Sequence, residues 1–481
     1  MLFNSFIFIF VFFPICIIGY FSLNYLRLYR VGLLFLTAMS LWFYGYFNIS
    51  YLAVIIISIA FNYLFYKLLL CLAAKKPILY IAIAFNLGLL IYFKYMDFFI
   101  TTVNMACGTS FALHNIVLPL GISFFTFQQI SFIIDTYHGE VRDYSLLEYC
   151  CFITFFPQLI AGPIVTHDEL VPQLKSVERK QINYNDMFSG LFLFSMGLVK
   201  KVIFADTLGN AVTAGWSNIE TINSTSAVIV ILSYTLQIYF DFSGYCDMAM
   251  GLARMLNIEL PLNFNSPYKS KTITEFWKRW HMTLTRFLTK YVYIPLGGNR
   301  KGDFKTYINI FIVFLLSGLW HGAGFTYIIW GLGHGIFSIL TRMRSKVIKK
   351  MPSIVDWMIT FVFVNIMWVF FRADSVKSAL NMLKRVLRLN FGMADEVIMS
   401  EFRVPEMVAI GKITCLDKIS EKLVGFVFII ICMITVLYAK NAQEKCYGDI
   451  IDRKHILITA ILLVWGICSM TGISTFLYFN F

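Results

Sequence analysis

An all-α, polytopic integral membrane protein is predicted by three features: the composition, the length of the apolar runs, and the lack of a strand-like alternation within them. The chain has 481 residues, is 59% hydrophobic and only 14% charged, and has a mean hydropathy of +0.72. A soluble chain would carry about 25% charged residues. Crossing the hydrocarbon takes about 20 mostly apolar residues. Runs of that order lie near 5–22, 31–47, 51–71, 77–93, 115–134, 147–165, 187–204, 226–252, 306–320, 323–341, 354–371, 423–439 and 455–478. They predict about eleven transmembrane helices plus shorter re-entrant and interfacial pieces. Helix is expected throughout, because a backbone in lipid must satisfy its own N–H and C=O groups, and a transmembrane barrel would alternate with period two.

The first run, Phe6 to Tyr20, has no basic flank and no small-residue cleavage site, so it is expected to stay as a first helix. Between the later runs, 166–186 mixes acids and bases and reads as an interfacial loop or short helix. Residues 375–422 contain Ala379 to Leu383 followed by Lys384, Arg385 and Arg388, which predicts an amphipathic surface helix. No repeat of 20 to 50 residues and no low-complexity linker interrupts the chain, so residues 1–481 are expected to form a single integral domain.

The net charge of +13 raises nucleic acid as a partner, but no soluble basic domain, RNA-binding motif or zinc-finger spacing accompanies it. The charge reads as topology instead. Nine basic residues lie between Lys269 and Lys305 against Glu275 and Asp303, and five lie between Arg342 and Lys350 with no acid. The runs 306–320 and 323–341 separate them, so one hairpin places both basic segments on the same side. Cytoplasmic loops collect Lys and Arg, and that side attracts anionic lipid headgroups or a phosphate-bearing cosubstrate. The ten cysteines offer no C-x-x-C spacing and read as small apolar or loop residues.

Ionisable residues inside spans are where chemistry is to be sought, since each costs about 2.5 to 3.5 kcal/mol on insertion scales. Asp241 and Asp247 lie within Tyr239 to Gly251. Six residues rotate them about 240° apart on one helix, so they cannot aim at one point, whereas Ser243 and Asp247 share a face. Such carboxylates either tie neighbouring helices together or line a path. The second cluster is Asn263-Phe-Asn-Ser-Pro-Tyr268 followed by Thr272 to Met282. Pro267 breaks the chain, Thr272 or Thr274 caps the next helix, and Phe276, Trp277, Trp280 and Leu284 fall near helical spacing beside Lys278, Arg279 and His281. This predicts one interfacial helix with aromatics in and cations out. His281 on it is open between a structural hydrogen bond and chemistry.

The third cluster is Ser317-Gly-Leu-Trp-His-Gly322, with Gly324 beyond. The glycines allow close backbone approach or local unwinding. His321 is a core histidine or a general base, since neutral imidazole takes and returns a proton near physiological pH. His334 lies about 220° around a continuous helix from His321 and reads as a packing or hydrogen-bonding residue. No G-x-S-x-G elbow, P-loop, H-E-x-x-H or G-x-G-x-x-G is present, which removes support for a serine hydrolase, a nucleotide-driven pump or a zinc protease.

At these residues the chain resembles the membrane-bound O-acyltransferases, and within them the alginate O-acetyltransferase type that acetylates exported polysaccharides. The matching pieces are Phe240-Asp-Phe-Ser-Gly-Tyr245, Asn263-Phe-Asn-Ser-Pro-Tyr268, Glu275-Phe-Trp-Lys-Arg-Trp-His281, Tyr293-Ile-Pro-Leu-Gly-Gly-Asn-Arg300, Gly318-Leu-Trp-His-Gly322, Tyr327-Ile-Ile-Trp-Gly331 and Phe370-Phe-Arg372. Leu118 to Phe124 and Phe156 to Pro163 also fit, and the resemblance covers about 40–375. It implies a funnel of helices that thins the membrane, with His321 as the catalytic histidine at its narrow point and His281 as the second active-site position. Asp241, Ser243, Asp247, Asn265, Trp280 and Trp320 are the expected pocket residues. The donor implied is a cytoplasmic thioester, acetyl-CoA, whose phosphates Lys278, Arg279, Arg300 and Lys301 would attract; no metal is expected.

The resemblance further implies a bacterial cytoplasmic (inner) membrane location, an exported cell-envelope polysaccharide as the final acceptor, and an extracytoplasmic SGNH- or esterase-like partner that delivers the acetyl group. Two alternatives remain. The branch that moves D-alanine from a carrier protein to teichoic acid looks similar around Trp280-His281 and Trp320-His321, although Ile294 to Asn299 and the length favour the acetyl branch. A proton-coupled transporter using Asp241, Asp247 and His321 would call for inverted repeats, and none is found.

Overall fold

The computed structural model describes residues 1–141, 143–347, 351–404, 406, 420–442, 444, 452–470 and 474–477. Among these the elements are helices, with one isolated antiparallel bridge between Phe264 and Trp280. Among the described residues eight helices are long and apolar enough to cross a membrane, against about eleven expected from the runs. Part of the difference has a local cause. The run 115–134 is helical only from Ile122, after Pro119 and a left-handed Gly121 (φ 71°). The run 147–165 is cut at Phe155, because Pro157 lacks an N–H and cannot continue the preceding helix.

The chain divides into two compact units, Met1–Phe194 with Met248–Pro261, and Ser195–Asp247 with Leu262–Leu477. The first contains α1 (Phe13–Tyr25), α2 (Tyr29–Gly45), α3 (Ser50–Cys71), α4 (Lys75–Leu90), α5 (Met96–Cys107), α6 (Ile122–Tyr137), α7 (Leu146–Thr154), α8 (Phe156–Leu159) and α9 (His167–Lys175). Its core includes Phe8, Phe12, Phe43 and Phe156, with ring centroids 5.4 to 6.2 Å apart. Each such pair adds about 0.5–1.5 kcal/mol beyond its area. Asn86 donates to Asn62 at 2.7 Å, a buried amide pair that joins α3 to α4 where lipid offers no competing water. The expected short helix in 166–186 is α9, opened by Thr166 and Glu169 as a capping box.

Helix α10 (Tyr184–Val199) runs through a π-helical turn, Lys200–Ala205, into α11 (Asp206–Ser217). The second unit then takes up most of α12 (Ser224–Met255), whose span is 78% buried. An apolar helix buried on nearly all sides belongs in a core and not against lipid. After it come α13 (Ile273–Arg279), α14 (Met282–Leu288), α15 (Gly302–His321), α16 (Phe325–Val347), α17 (Ser353–Arg372), α18 (Val376–Leu387), α19 (Glu396–Ser400), α20 (Glu421–Tyr438) and α21 (Arg453–Cys468). The expected amphipathic helix is α18, capped by Ser375 and burying Ala379 and Met382.

Helices α15 and α16 form the predicted hairpin. Asp303 and Lys346 pair at its open end, which brings the two basic segments together. Near its closed end the helices touch backbone to backbone: a Cβ on Gly318 would lie 2.4 Å from the Tyr327 carbonyl, and one on Gly331 2.5 Å from that of Phe314. Gly318 and Gly331 therefore serve close helix packing, as in other membrane helix pairs. Helix α15 stays helical past Gly318 to His321 and ends at Gly322, whose backbone is extended.

Candidate active site

The second histidine is held by a chain reversal between two short helices. The backbone N–H of Asn265 donates to the Arg279 carbonyl at 2.9 Å, and that of Met282 donates to the Asn263 carbonyl at 3.0 Å. These bonds pin 263–265 against 279–282. Thr272 caps α13 by accepting from the Glu275 N–H at 3.1 Å, but the helix stops at Arg279. Trp280 is extended and His281 is left-handed, at φ 46° and ψ 53°, before α14 begins. The single helix expected over 272–284 is thus two helices, broken where the pairing overrides helical propensity. A non-glycine left-handed residue costs on the order of 1–3 kcal/mol and persists where the surroundings over-determine it. Trp280 supplies part of that constraint, buried among Phe264, Phe276 and Trp368 at 5.0, 5.6 and 5.0 Å.

His321 arrives from the last turn of α15. It is 2% exposed, and its ring is walled by Trp320 at 4.9 Å, Trp330 at 4.9 Å and Phe371 at 5.2 Å. His281 is wholly buried beside Phe242 at 4.9 Å and reaches the same Trp320 at 5.8 Å. The two imidazole centroids are 6.4 Å apart. Forty residues of sequence separation thus close into one aromatic chamber.

Asn263 fixes the chemistry of His281. Its Oδ1 accepts from the Thr283 backbone N–H at 3.2 Å and from the Thr283 hydroxyl at 2.9 Å, and it lies 3.1 Å from Nδ1 of His281. A backbone N–H can only donate, so that atom of Asn263 is the oxygen, and Nδ1 of His281 must carry a proton. Burial pushes the imidazole pKa down from 6.5 to about 3, so the ring is neutral and Nε2 is a lone-pair acceptor.

His334 lies beyond Trp330, 4.8 Å from it, and its Nδ1 accepts from the Trp277 indole N–H at 3.3 Å. That is the packing and hydrogen-bonding role its position suggested. Asp241 and Asp247 meet different partners, as their separation around α12 requires. Lys200 reaches Asp247 at 2.6 Å and Ser243 at 3.4 Å, while Lys201 bridges Asp241 at 2.8 Å and Asp206 at 2.9 Å. The carboxylates tie helices together, and their lysine partners had not been singled out in the sequence. Lys201 also donates to the Thr475 carbonyl at 2.9 Å, and the Leu477 N–H donates to Asp241 at 2.9 Å. Phe476, 1% exposed, packs on Tyr245 at 4.9 Å.

Among the remaining expected site residues, Arg279 is taken by Glu275 at 3.0 Å and by the Asn265 carbonyl at 3.2 Å. Asn265 is a brace, accepting also from Asn441 at 3.1 Å. Lys278, Arg300 and Lys301 are exposed. No cluster of three His, Cys, Asp or Glu able to hold a metal ion occurs among the described residues. Sequence reasoning passed over Asn263, Lys200 and Lys201. The lysines carried a signal, being charges inside an apolar run; Asn263 carried only its place in a motif.

The family model of the membrane-bound O-acyltransferases matches residues 19–378, which takes in both histidines. The chain belongs to this family. It is therefore a multi-pass membrane O-acyltransferase. It is 40% identical to the peptidoglycan O-acetyltransferase of Helicobacter pylori, over 100% of this chain and 98% of that one. It is 39% identical to a Pseudomonas aeruginosa protein named "Probable alginate O-acetylase AlgI", over 82% of this chain and 77% of the other. The teichoic acid D-alanyltransferase of Bacillus subtilis is 30% identical over 52% of this O-acyltransferase and 68% of the relative.

Proposed function

We propose that this O-acyltransferase moves an acetyl group from a cytoplasmic thioester, acetyl-CoA, across the inner membrane for O-acetylation of an exported cell-envelope polysaccharide. The observation that carries the reading is the chamber in which His281 and His321, 6.4 Å apart, share Trp320. His321 acts as general base. It takes the proton of an acceptor hydroxyl as that oxygen attacks the acyl carbon, the carbon–sulfur bond breaks, and the proton passes to the departing thiolate. General base catalysis of this kind contributes about 10² to 10⁴-fold.

The tautomer of His281 sets its part. With Nδ1–H held by Asn263, Nε2 orients by accepting a hydrogen bond from an N–H of His321, which turns the other nitrogen of that ring to the attacking hydroxyl. It does not donate to the thioester carbonyl. The donor's phosphates are drawn by long-range attraction to the basic segment in which Lys278, Arg279, Arg300 and Lys301 stand.

The match to the peptidoglycan O-acetyltransferase along the whole chain supports an envelope glycan as the final acceptor. An extracytoplasmic, esterase-like partner that receives the acetyl group and passes it on fits this reading. Labelled acetyl-CoA and a D-alanyl carrier protein, offered side by side to purified protein with candidate acceptors, test it: turnover of acetyl-CoA supports the reading, and turnover of the D-alanyl carrier alone overturns it.

A further inference from the structure

We propose that a cleft between α14, α15 and α16 holds the phosphate and the upper acyl chain of an anionic membrane phospholipid. The cleft has a volume of about 490 Å³, within the range of sites that take one small ligand. Its walls are Leu284 and Leu288 of α14 with Ile310, Val313 and Phe314 of α15. Along α15 from Ile310 to Ser317 they run for about 10 Å. Three of the hydroxyls that line it are already engaged: Thr285 donates to the Trp277 carbonyl at 3.0 Å, Thr289 to that of Thr285 at 2.7 Å, and Ser338 to that of His334 at 2.7 Å. An alkyl chain leaves those bonds intact. The amide-bearing arm of a coenzyme thioester would set its N–H and C=O groups against the apolar walls, at a cost for each that finds no partner.

The rim is cationic. Lys278 and Arg342 line it beside Thr272 and Ser345, and neither forms a salt bridge among the described residues. Nε of Arg342 is buried with no hydrogen-bond partner. The nearby Asp303 is taken by Lys346. A phosphodiester gives Arg342 the acceptor it lacks and Lys278 a counter-charge, and basic pockets between membrane helices suit such headgroups.

The cleft is separate from the histidine chamber. Trp277 forms its inner wall, and the same indole meets Trp330 and His334 at 5.6 and 5.0 Å. A lipid seated here braces α14, whose first residue follows His281, against the α15–α16 hairpin.

The test reads bound lipid and requires no acyl transfer. Full-length protein in mild detergent is stripped, equilibrated with phosphatidylglycerol or phosphatidylcholine, washed, and weighed by native mass spectrometry. Wild type should keep one phosphatidylglycerol and lose phosphatidylcholine. Arg342→Gln should lower retention about tenfold, Arg342→Lys should recover most of it, and Val313→Trp should exclude the lipid by filling the cleft. Should Val313→Trp misfold, the Arg342 pair still decides. Equal retention of the two lipids, or retention indifferent to Arg342→Gln, overturns the proposal. So does one-for-one displacement by acetyl-CoA, which would assign the cleft to the donor.

Discussion

The Oδ1 of Asn263 lies 3.1 Å from Nδ1 of His281 while it accepts the backbone N–H of Thr283. One amide therefore decides which nitrogen of a buried histidine bears the proton, and the choice propagates to the chemistry, because Nε2 is left to accept. Partners that orient metal-bound histidines are worth about 10- to 100-fold, and Asn263 orients His281 in the same way.

Replacing Asn263 with Leu removes the acceptor and keeps the volume. We expect kcat for acetyl transfer to fall about 10- to 100-fold, with KM for the thioester little changed. The 15N shifts of His281 should show the loss of the single Nδ1–H tautomer. An unchanged tautomer with unchanged kcat would remove Asn263 from the account.

Burial lowers the His281 pKa from 6.5 to about 3. Between those values an unfolded chain binds this proton and the folded one does not, so acidification through that window costs stability and nothing is lost above it. His281 should show no titration between pH 5 and 8 in 13C-labelled protein. Any histidine limb in the pH–rate profile should then vanish in His321→Ala and persist in His281→Gln at its lower rate.

The spans were legible because lipid imposes length and hydropathy: the run 226–252 became Ser224–Met255, and 354–371 became Ser353–Arg372. The capping role of Thr272 was legible too, since it is local. The break at Trp280-His281 was not, because the bonds that force it join residues more than a dozen apart, Asn263 with Met282 and Asn265 with Arg279. For the same reason Asp241 and Asp247 could be placed on different faces of a helix, but their lysines could not be named. The 40-residue closure of His281 onto His321 rested on family resemblance until the chamber was seen.

The hairpin that carries His321 depends on Gly318, where a Cβ would meet the Tyr327 carbonyl at 2.4 Å. A backbone carbonyl cannot swing away as a side chain would. Gly318→Val should separate α15 from α16, destabilise the protein by about 1–3 kcal/mol, and lower acetyl transfer more than tenfold in the fraction that stays folded. Thermal unfolding in detergent and specific activity check both parts.

Lys201 and Asp241, each 2% exposed, form a buried pair; Lys201 also holds Asp206 and the Thr475 carbonyl, and Asp241 accepts the Leu477 N–H. Lys201→Met leaves a buried carboxylate uncompensated, a change worth about 3–5 kcal/mol, and Lys201→Met with Asp241→Leu should regain much of it. Deleting the chain from Ser474 onward should lower the unfolding temperature in wild type and do so far less in the double variant, because both act on one cluster. Additive losses would contradict that coupling.

The most direct test of the central claim is acetyl transfer by His321→Ala, prepared as a monodisperse protein with wild-type thermal unfolding and supplied with labelled acetyl-CoA and the envelope acceptor. The account predicts a fall in kcat of about 10² to 10⁴-fold with donor binding retained. Turnover within a few-fold of wild type would show that His321 is not the base.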